Sequence, residues 1–543
     1  MSSRTPITLA ACCAAGLLMV SGTAEAAGGA HAAPVAAAVA AGAPATMQPL
    51  THQILVPGTT RAGVTGRSAA ASTLSVSVTG GDNKGLYDAA LNVSVSGSAG
   101  AVSATPTWDG VPSAAVTEAG DGTIVLRQTF STVGEHKLSL SVTDGVSTVV
   151  KTVTVLLAGN DYTAYGPTRL LDTRHGTGGP IGPIKPNSMV RVKIDSNGGI
   201  SATASAAVLN LTVTNPSSAG YITAYPDGGS SSSSNVNFVK GQTVPNLSVV
   251  PVGTSGYVDL YNHSSGTVDL IADIDGYFSQ TAASGYTTVA PSRLVDTRSG
   301  LGAPKAQLTA GGSIAVQIAG KAGMPASGVT AVALNVTATN EATGGYLTAY
   351  PDGAAMPTAS NVNFGPGQNI ANAVVVPVGA DGKIRIAGST KADAVVDVTG
   401  YYSVSGTGAF EPLQPTRLMD TRDLSNPNVE NLMQPYYYDL YPFWEWVDAN
   451  AAAVVLNVTV PTAKAAGYLA VAPDINTWAS YQKGTFNAQQ KAPGSSTLNF
   501  QKGQSVPNMV QASTGTTGVV DFWNQSPMSN DLIIDIFGVY KNN

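Results

Sequence analysis

Arg169-Leu-Leu-Asp-Thr-Arg174 returns twice in this chain, as Arg293-Leu-Val-Asp-Thr-Arg298 and as Arg417-Leu-Met-Asp-Thr-Arg422, with a spacing of 124 residues at each step. Other matches follow it in the same order in every copy. Leu209-Asn-Leu-Thr212 answers to Leu334-Asn-Val-Thr337 and Leu456-Asn-Val-Thr459. Gly220-Tyr-Ile-Thr-Ala-Tyr-Pro-Asp227 answers to Gly345-Tyr-Leu-Thr-Ala-Tyr-Pro-Asp352 and, more loosely, to Gly467-Tyr-Leu-Ala-Val-Ala-Pro-Asp474. Asn235-Val-Asn-Phe238 pairs with Asn361-Val-Asn-Phe364 and Thr497-Leu-Asn-Phe500, and a Gly-Gln turn recurs at Gly241, Gly367 and Gly503. Each copy closes on a strand-like run: Asp269 to Phe278, Asp393 to Tyr402 and Asp531 to Tyr540. An ordered set of this kind marks three tandem domains, residues 162–280, 286–403 and 410–541.

Upstream, between residues 74 and 158, apolar residues fall on alternate positions. Leu74-Ser-Val-Ser-Val78, Leu91-Asn-Val-Ser-Val95 and Leu138-Ser-Leu-Ser-Val142 all have this period of two, the signature of strands with one buried face. The expected fold class is therefore all-β: an Ig-like sandwich followed by three tandem β-sandwich-type repeats. Charged residues make up 11% of the chain, against about 25% in ordinary soluble proteins. With a net charge of −6 and no Lys/Arg cluster, the chain has no surface suited to nucleic acid or anionic membrane.

The N-terminus reads as an export signal over residues 1–26: Arg4, an apolar run from Ile7 to Val20, then Ala24-Glu25-Ala26 as a small-x-small cleavage site. Both cysteines, Cys12 and Cys13, lie within it, so the exported chain is expected to hold no disulfide. Residues 27–73 are Ala/Gly/Pro-rich and read as a linker. No segment after the signal has 18 consecutive apolar residues, so no membrane span is expected.

The most faithfully repeated residues are polar: Arg169, Asp172, Arg174 and Asp273 in the first copy, Arg293, Asp296, Arg298 and Asp397 in the second, and Arg417, Asp420, Arg422 and Asp535 in the third. They could form a ligand site built three times, or a buried network that ties strands together. Strand alternation favours the network. Asp269, Ile271 and Asp273 share one face, and an apolar residue between two carboxylates implies a face covered by protein. A buried carboxylate needs a partner, and a bidentate Arg fork supplies one. No His recurs between copies. There is no repeated Ser-His-Asp set, no Cys nucleophile and no His/Cys cluster at metal-binding spacing, so neither catalytic residues nor a metal or cofactor are expected.

The third copy departs from the other two. It carries Tyr436-Tyr-Tyr-Asp-Leu-Tyr-Pro-Phe-Trp-Glu-Trp446 and an insertion near Ile475 to Gly494 that includes Trp478. Tyr436, Tyr438, Trp444, Trp446 and Trp478 are the candidate ligand-binding residues, since aromatic loops on a rigid scaffold often stack on sugars or anchor a partner. Packing against a neighbouring repeat is the other reading of the same rings.

The stretch Gly134-Glu-His-Lys-Leu-Ser-Leu-Ser-Val-Thr-Asp144, with Trp108-Asp109 before it, resembles the final strands of polycystic-kidney-disease-type Ig-like domains. The triplicated R-L-x-D-T-R motif, with the terminal G-Y-F that stands as Gly276-Tyr-Phe278 in the first copy, resembles a repeat of exported proteins from high-GC Gram-positive bacteria, where it stands in tandem or beside secreted peptidases and cell-wall hydrolases. The resemblance implies an extracellular accessory role. The expected protein is thus secreted or loosely cell-surface associated, monomeric or weakly oligomeric, and non-enzymatic. Its expected partner is an extracellular or cell-envelope glycan, or a cell-surface protein, bound through the third copy. The alternative is a carbohydrate-active hydrolase that uses carboxylates of that copy.

Overall fold

The computed structural model describes residues 73–81, 88–130, 133–157, 159–281, 284–423, 433–487 and 492–542, together with the backbone of the strands Leu18–Val20, Gly22–Thr23, Ala36–Ala38 and Gln53–Val64. Most of the expected signal peptide and linker lies outside the described residues, but the linker expectation is corrected over Gln53–Val64, which forms a strand paired antiparallel with Ser147–Leu157 because its backbone groups complete that strand's free edge. Elsewhere the chain is built almost entirely of antiparallel strands, as its period-two patterning requires. No helix among the described residues is long and apolar enough to cross a membrane.

The first unit has a three-stranded sheet ordered Gly122–Thr129, Asp88–Ser96, Ser75–Gly80. A second sheet is centred on Ser147–Leu157, Gly134–Thr143 and Val102–Trp108. Their alternate apolar residues, Leu91, Val93, Leu138, Leu140 and Trp108 among them, share one core. His136 is buried within it, with its Nδ1 2.8 Å from an Asp109 carboxylate oxygen.

Each repeat is a sandwich of two sheets, all four-stranded except the outer sheet of the third repeat, where Gly22–Thr23 adds a fifth strand at the edge. In the first repeat one sheet runs Asp161–Asp172, Asp269–Ser279, Ala204–Thr214, Val244–Pro251, and the other runs Ser188–Lys193, Tyr257–Asn262, Gly220–Pro226, Val236–Phe238. The second and third repeats keep this order. The final strand of every repeat lies between two neighbours. Its central aspartate therefore has a motif residue on each side: Asp273 is opposite Arg169 and Asn210, Asp397 opposite Arg293 and Asn335, and Asp535 opposite Arg417 and Asn457.

Alternation then divides the strand Ala204–Thr214 between two cores. Ala207, Leu209, Leu211 and Val213 fill the sandwich of their own repeat. Ala206 and Val208 point the other way, into a core shared by all three repeats. That shared core makes the three copies one closed ring. Tyr162 of the first repeat stacks on Tyr402 of the second with centroids 4.1 Å apart. Tyr286 of the second stacks on Tyr540 of the third at 4.2 Å, and Phe410 of the third meets Phe278 of the first at 4.3 Å. Glycine permits this at Gly276, Gly400 and Gly538, where a Cβ would run into the ring of Tyr162, Tyr286 and Phe410 respectively. The glycine two residues before each terminal aromatic residue, Phe278, Tyr402 or Tyr540, is thus a packing requirement rather than a turn.

Candidate functional site

The R-L-x-D-T-R motif closes each repeat by hydrogen bonds. Arg169 donates through Nε and Nη2 to the two oxygens of Asp273, at 2.8 and 3.1 Å. Arg293 holds Asp397 and Arg417 holds Asp535 in the same way, with Nε–Oδ1 distances of 2.9 and 2.8 Å. The second arginine of each motif, Arg174, Arg298 or Arg422, forks onto the aspartate two residues before it, Asp172, Asp296 or Asp420, at 2.7 Å from Nη2. The motif threonine donates to the first aspartate of the final strand: Thr173 to Asp269 at 3.1 Å, Thr297 to Asp393 at 2.6 Å and Thr421 to Asp531 at 3.1 Å.

The two kinds of aspartate titrate in opposite directions. Hydrogen bonds from Arg174 and Arg298 hold Asp172 and Asp296 below the usual carboxylate range. Asp420 also falls below it, because Arg422 outweighs the opposing effect of burial. Burial instead pushes Asp273, Asp397 and Asp535 up, and their arginines offset this only in part. Pairing alone does not keep a carboxylate acidic when it is this deeply enclosed.

Asparagines carry the network from one repeat to the next. Asn246 donates to Asn457 at 2.8 Å, Asn372 to Asn210 at 3.3 Å and Asn508 to Asn335 at 3.0 Å, so every repeat is tied to both others. Asn210 also donates to the Ser360 carbonyl, Asn335 to that of Ser496 and Asn457 to that of Ser234. The Gln-Gly turn residues stay local: Gln242, Gln368 and Gln504 each accept a backbone N–H three residues earlier, at 3.0, 2.7 and 2.8 Å.

The aromatic residues singled out in the third repeat do not form an open platform. Tyr438 is 3% exposed and Trp478 4% exposed, and both pack with Trp523, Tyr481 and Leu440 in a cluster on the outer sheet. After the short helix α1 (Phe443–Trp446), the helix α2 (Trp478–Lys483), capped by Thr477, supplies the roof of that cluster. Trp444 is half-buried against the sandwich core, and its Nε1 donates to the Ala451 carbonyl at 2.7 Å. The side chain of Trp446 lies outside the described residues. Among the described candidates, Tyr436, 47% exposed, is the one whose ring is open to solvent. The expectation of a stacking cluster is corrected on this point. Tyr438, Leu440 and Trp523 make an apolar outward face on this sheet, and the insertion covers it.

The carboxylates of the third repeat are enclosed as well. In the register of the outer sheets, Asp521 occupies the position of Asp259 in the first repeat and Arg385 in the second. There, Asp259 has Arg191 at 3.5 Å, and Arg385 has Asp352 at 2.7 Å. Among the described residues no arginine pairs with Asp521. It faces Asp474, and burial together with that charge pushes its carboxyl up. Tyr481 donates its hydroxyl to Asp474 at 2.7 Å beneath the roof. Asp439 is likewise buried, and burial raises it to about 7.

The open polar space lies at a seam between repeats. A cavity of about 230 Å³ between the second and third is lined by Arg293, Arg298, Thr337 and Asn369 on one side, and by Tyr468 and Asn499 on the other. Thr337 is buried and its Oγ1 has no hydrogen-bond partner; neither does Oδ1 of Asn499. These residues stand inside the repeated motifs, so the signal was present in the sequence. Strand pattern alone did not distinguish a polar residue facing a neighbour from one facing a cavity. Among the described residues, no group of three His, Cys, Asp or Glu is placed to hold a metal.

No family model matches the chain, and no curated protein matches it. Among solved structures, one described as Bacteroides ovatus mixed-linkage glucan utilization locus SGBP-B, in complex with a mixed-linkage heptasaccharide, is 11% identical. It covers 83% of this chain and 92% of its own, with a TM-score of 0.14. A structure described as PNGF-II is 7% identical over 81% of this chain and 98% of its own, with a TM-score of 0.11. At these TM-scores neither likeness carries an argument about fold or function.

Proposed function

We propose that the protein is an exported, non-enzymatic binding or surface-display protein whose ligand is an extracellular or cell-envelope glycan. The observation that supports this best is the cavity at the seam between the second and third repeats. It joins guanidinium donors, hydroxyl and amide groups and one tyrosine ring in a concave, partly enclosed space, the mixture by which ligand sites fix orientation. A bound water's share of liquid volume is about 30 Å³, so this space suits a group larger than one water. The rival reading is a hydrolase using carboxylates of the third repeat; two of these, Asp474 and Asp521, are buried, which makes them poorly placed to meet a polysaccharide.

A glycan array probed with the exported chain, beside a polysaccharide-hydrolysis assay on the same protein, tests the reading. Binding without product release is expected, with Arg298→Ala and Tyr468→Ala each weakening it. Sustained product release by the purified chain would favour the hydrolase.

A further inference from the structure

We infer that the seam ligand is a neutral, hydroxyl-rich group, and that the seam between the third and first repeats is a second site of the same build. This inference rests on the binding function proposed above and gives it a ligand class and a count.

Charge balance carries the first part. Both guanidinium groups in the cavity are already matched, Arg293 by Asp397 and Arg298 by Asp296. An anionic ligand would therefore meet no uncompensated positive charge and would face two carboxylates close behind the arginines. Arg298 is nevertheless 45% exposed at its side chain, and its fork uses only Nε and Nη2, so Nη1 remains a free donor. On the same side of the cavity is an unpartnered hydroxyl, Thr337 Oγ1, and on the other side an acceptor without a donor, Asn499 Oδ1. Buried polar atoms are rarely left unpaired, and two lining one cavity point to a bound molecule that pairs them. A sugar hydroxyl both donates and accepts, and meets each of these needs without bringing a charge.

Register carries the second part. Thr459 stands in the third repeat where Thr337 stands in the second, two residues after the motif asparagine. Asn237 stands in the first repeat where Asn499 stands in the third: the former pairs across its sheet with Tyr221, the latter with Tyr468. The same two atoms are unpartnered again, Thr459 Oγ1 and Asn237 Oδ1. The two repeats are joined at this seam by Asn457 and Asp535, which bond the backbone of Ser234, and Arg422 repeats the fork of Arg298. His263 stacks behind Tyr221 at 4.7 Å and braces its ring. The seam between the first and second repeats differs. Asn363 Oδ1 there accepts the Ser360 hydroxyl at 3.0 Å, so the acceptor is already satisfied.

The test is isothermal titration of the full exported chain with neutral cello-, malto-, chito- and manno-oligosaccharides, and with sulfated and uronic oligosaccharides of equal length. Thr337→Val and Thr459→Val are the variants. Each removes a hydroxyl that has no partner in the protein and keeps the side-chain shape, so melting temperatures should not fall. A neutral oligosaccharide is expected to bind with a stoichiometry near two. Each valine should weaken one site by about tenfold, as expected for loss of one hydrogen bond, and the double variant should weaken both. A stoichiometry of one overturns the second site. Binding that neither valine alters overturns the seam assignment while leaving the binding function intact. A clear preference for sulfated or uronic ligands overturns the neutral class. Failure of every oligosaccharide to bind overturns the proposed function together with the seams.

Discussion

Asp273 and its counterparts show what a single residue does here. The carboxylate is 2% exposed at its side chain and takes both forks of Arg169, which is itself only 21% exposed. Removing one partner of a buried pair leaves an uncompensated charge, so Asp273→Ala should cost about 3–5 kcal/mol, read from urea melts against wild type. Asp439 makes the opposite case, a buried carboxyl whose Oδ2 has no hydrogen-bond partner. Its folded value near 7 lies above the ordinary 3.8, so the folded state holds this proton more tightly than the unfolded chain does. The stability it confers is full below about pH 4, is lost as pH rises towards 7, and is flat above that. Asp439→Asn should remove that share of the pH dependence and raise the melting temperature at pH 8. An unchanged slope of stability between pH 4 and 7 would show that another group carries it.

At the scale of elements, the insertion in the third repeat acts as a roof. The helix α2 and the chain after it cover an outer sheet face that carries Tyr438, Leu440 and Trp523. The corresponding strand of the first repeat carries Met189 and Arg191, which stand in solvent without a cover. Trp478 lies within the covered cluster, so Trp478→Ala opens a cavity and should cost about 3–5 kcal/mol. A thermal melt of the variant, with oligosaccharide titration beside it, separates roof from binding surface. A lower melting temperature with unchanged affinity is expected. Lost affinity at unchanged stability would return Trp478 to the ligand site.

At the scale of the molecule, three copies joined head to tail close into a ring because the contacts are heterologous: one face of each repeat meets a different face of the next. The shared core of tyrosines, phenylalanines, alanines and valines would be bare on an isolated copy. Exposed apolar patches of this kind drive association. The isolated second repeat, residues 286–403, is therefore expected to self-associate, with a trimer as the closed form. Light scattering after gel filtration measures this, and a soluble, stable monomer at micromolar concentration would contradict the account of the ring.

The β class, the three copies and the residues that share each strand face were legible in the sequence by itself. All follow from the spacing of 124 and the period of two, which are properties of local chain geometry. The Arg–Asp pairing was legible too, since Arg169 and Asp273 repeat together and a covered carboxylate needs a fork. What covers each face was decided only by the tertiary structure. Alternation places Ala206, Val208, Asn210 and Thr212 on one side of a strand but does not say whether solvent, a loop or another repeat lies there. That choice was made by contacts between residues far apart in the chain, such as Asn246 with Asn457 and Tyr286 with Tyr540. It was made in the same way for the aromatic residues of the third repeat: their number was plain in the sequence, while burial beneath α2 turned Tyr438 and Trp478 from a candidate surface into core.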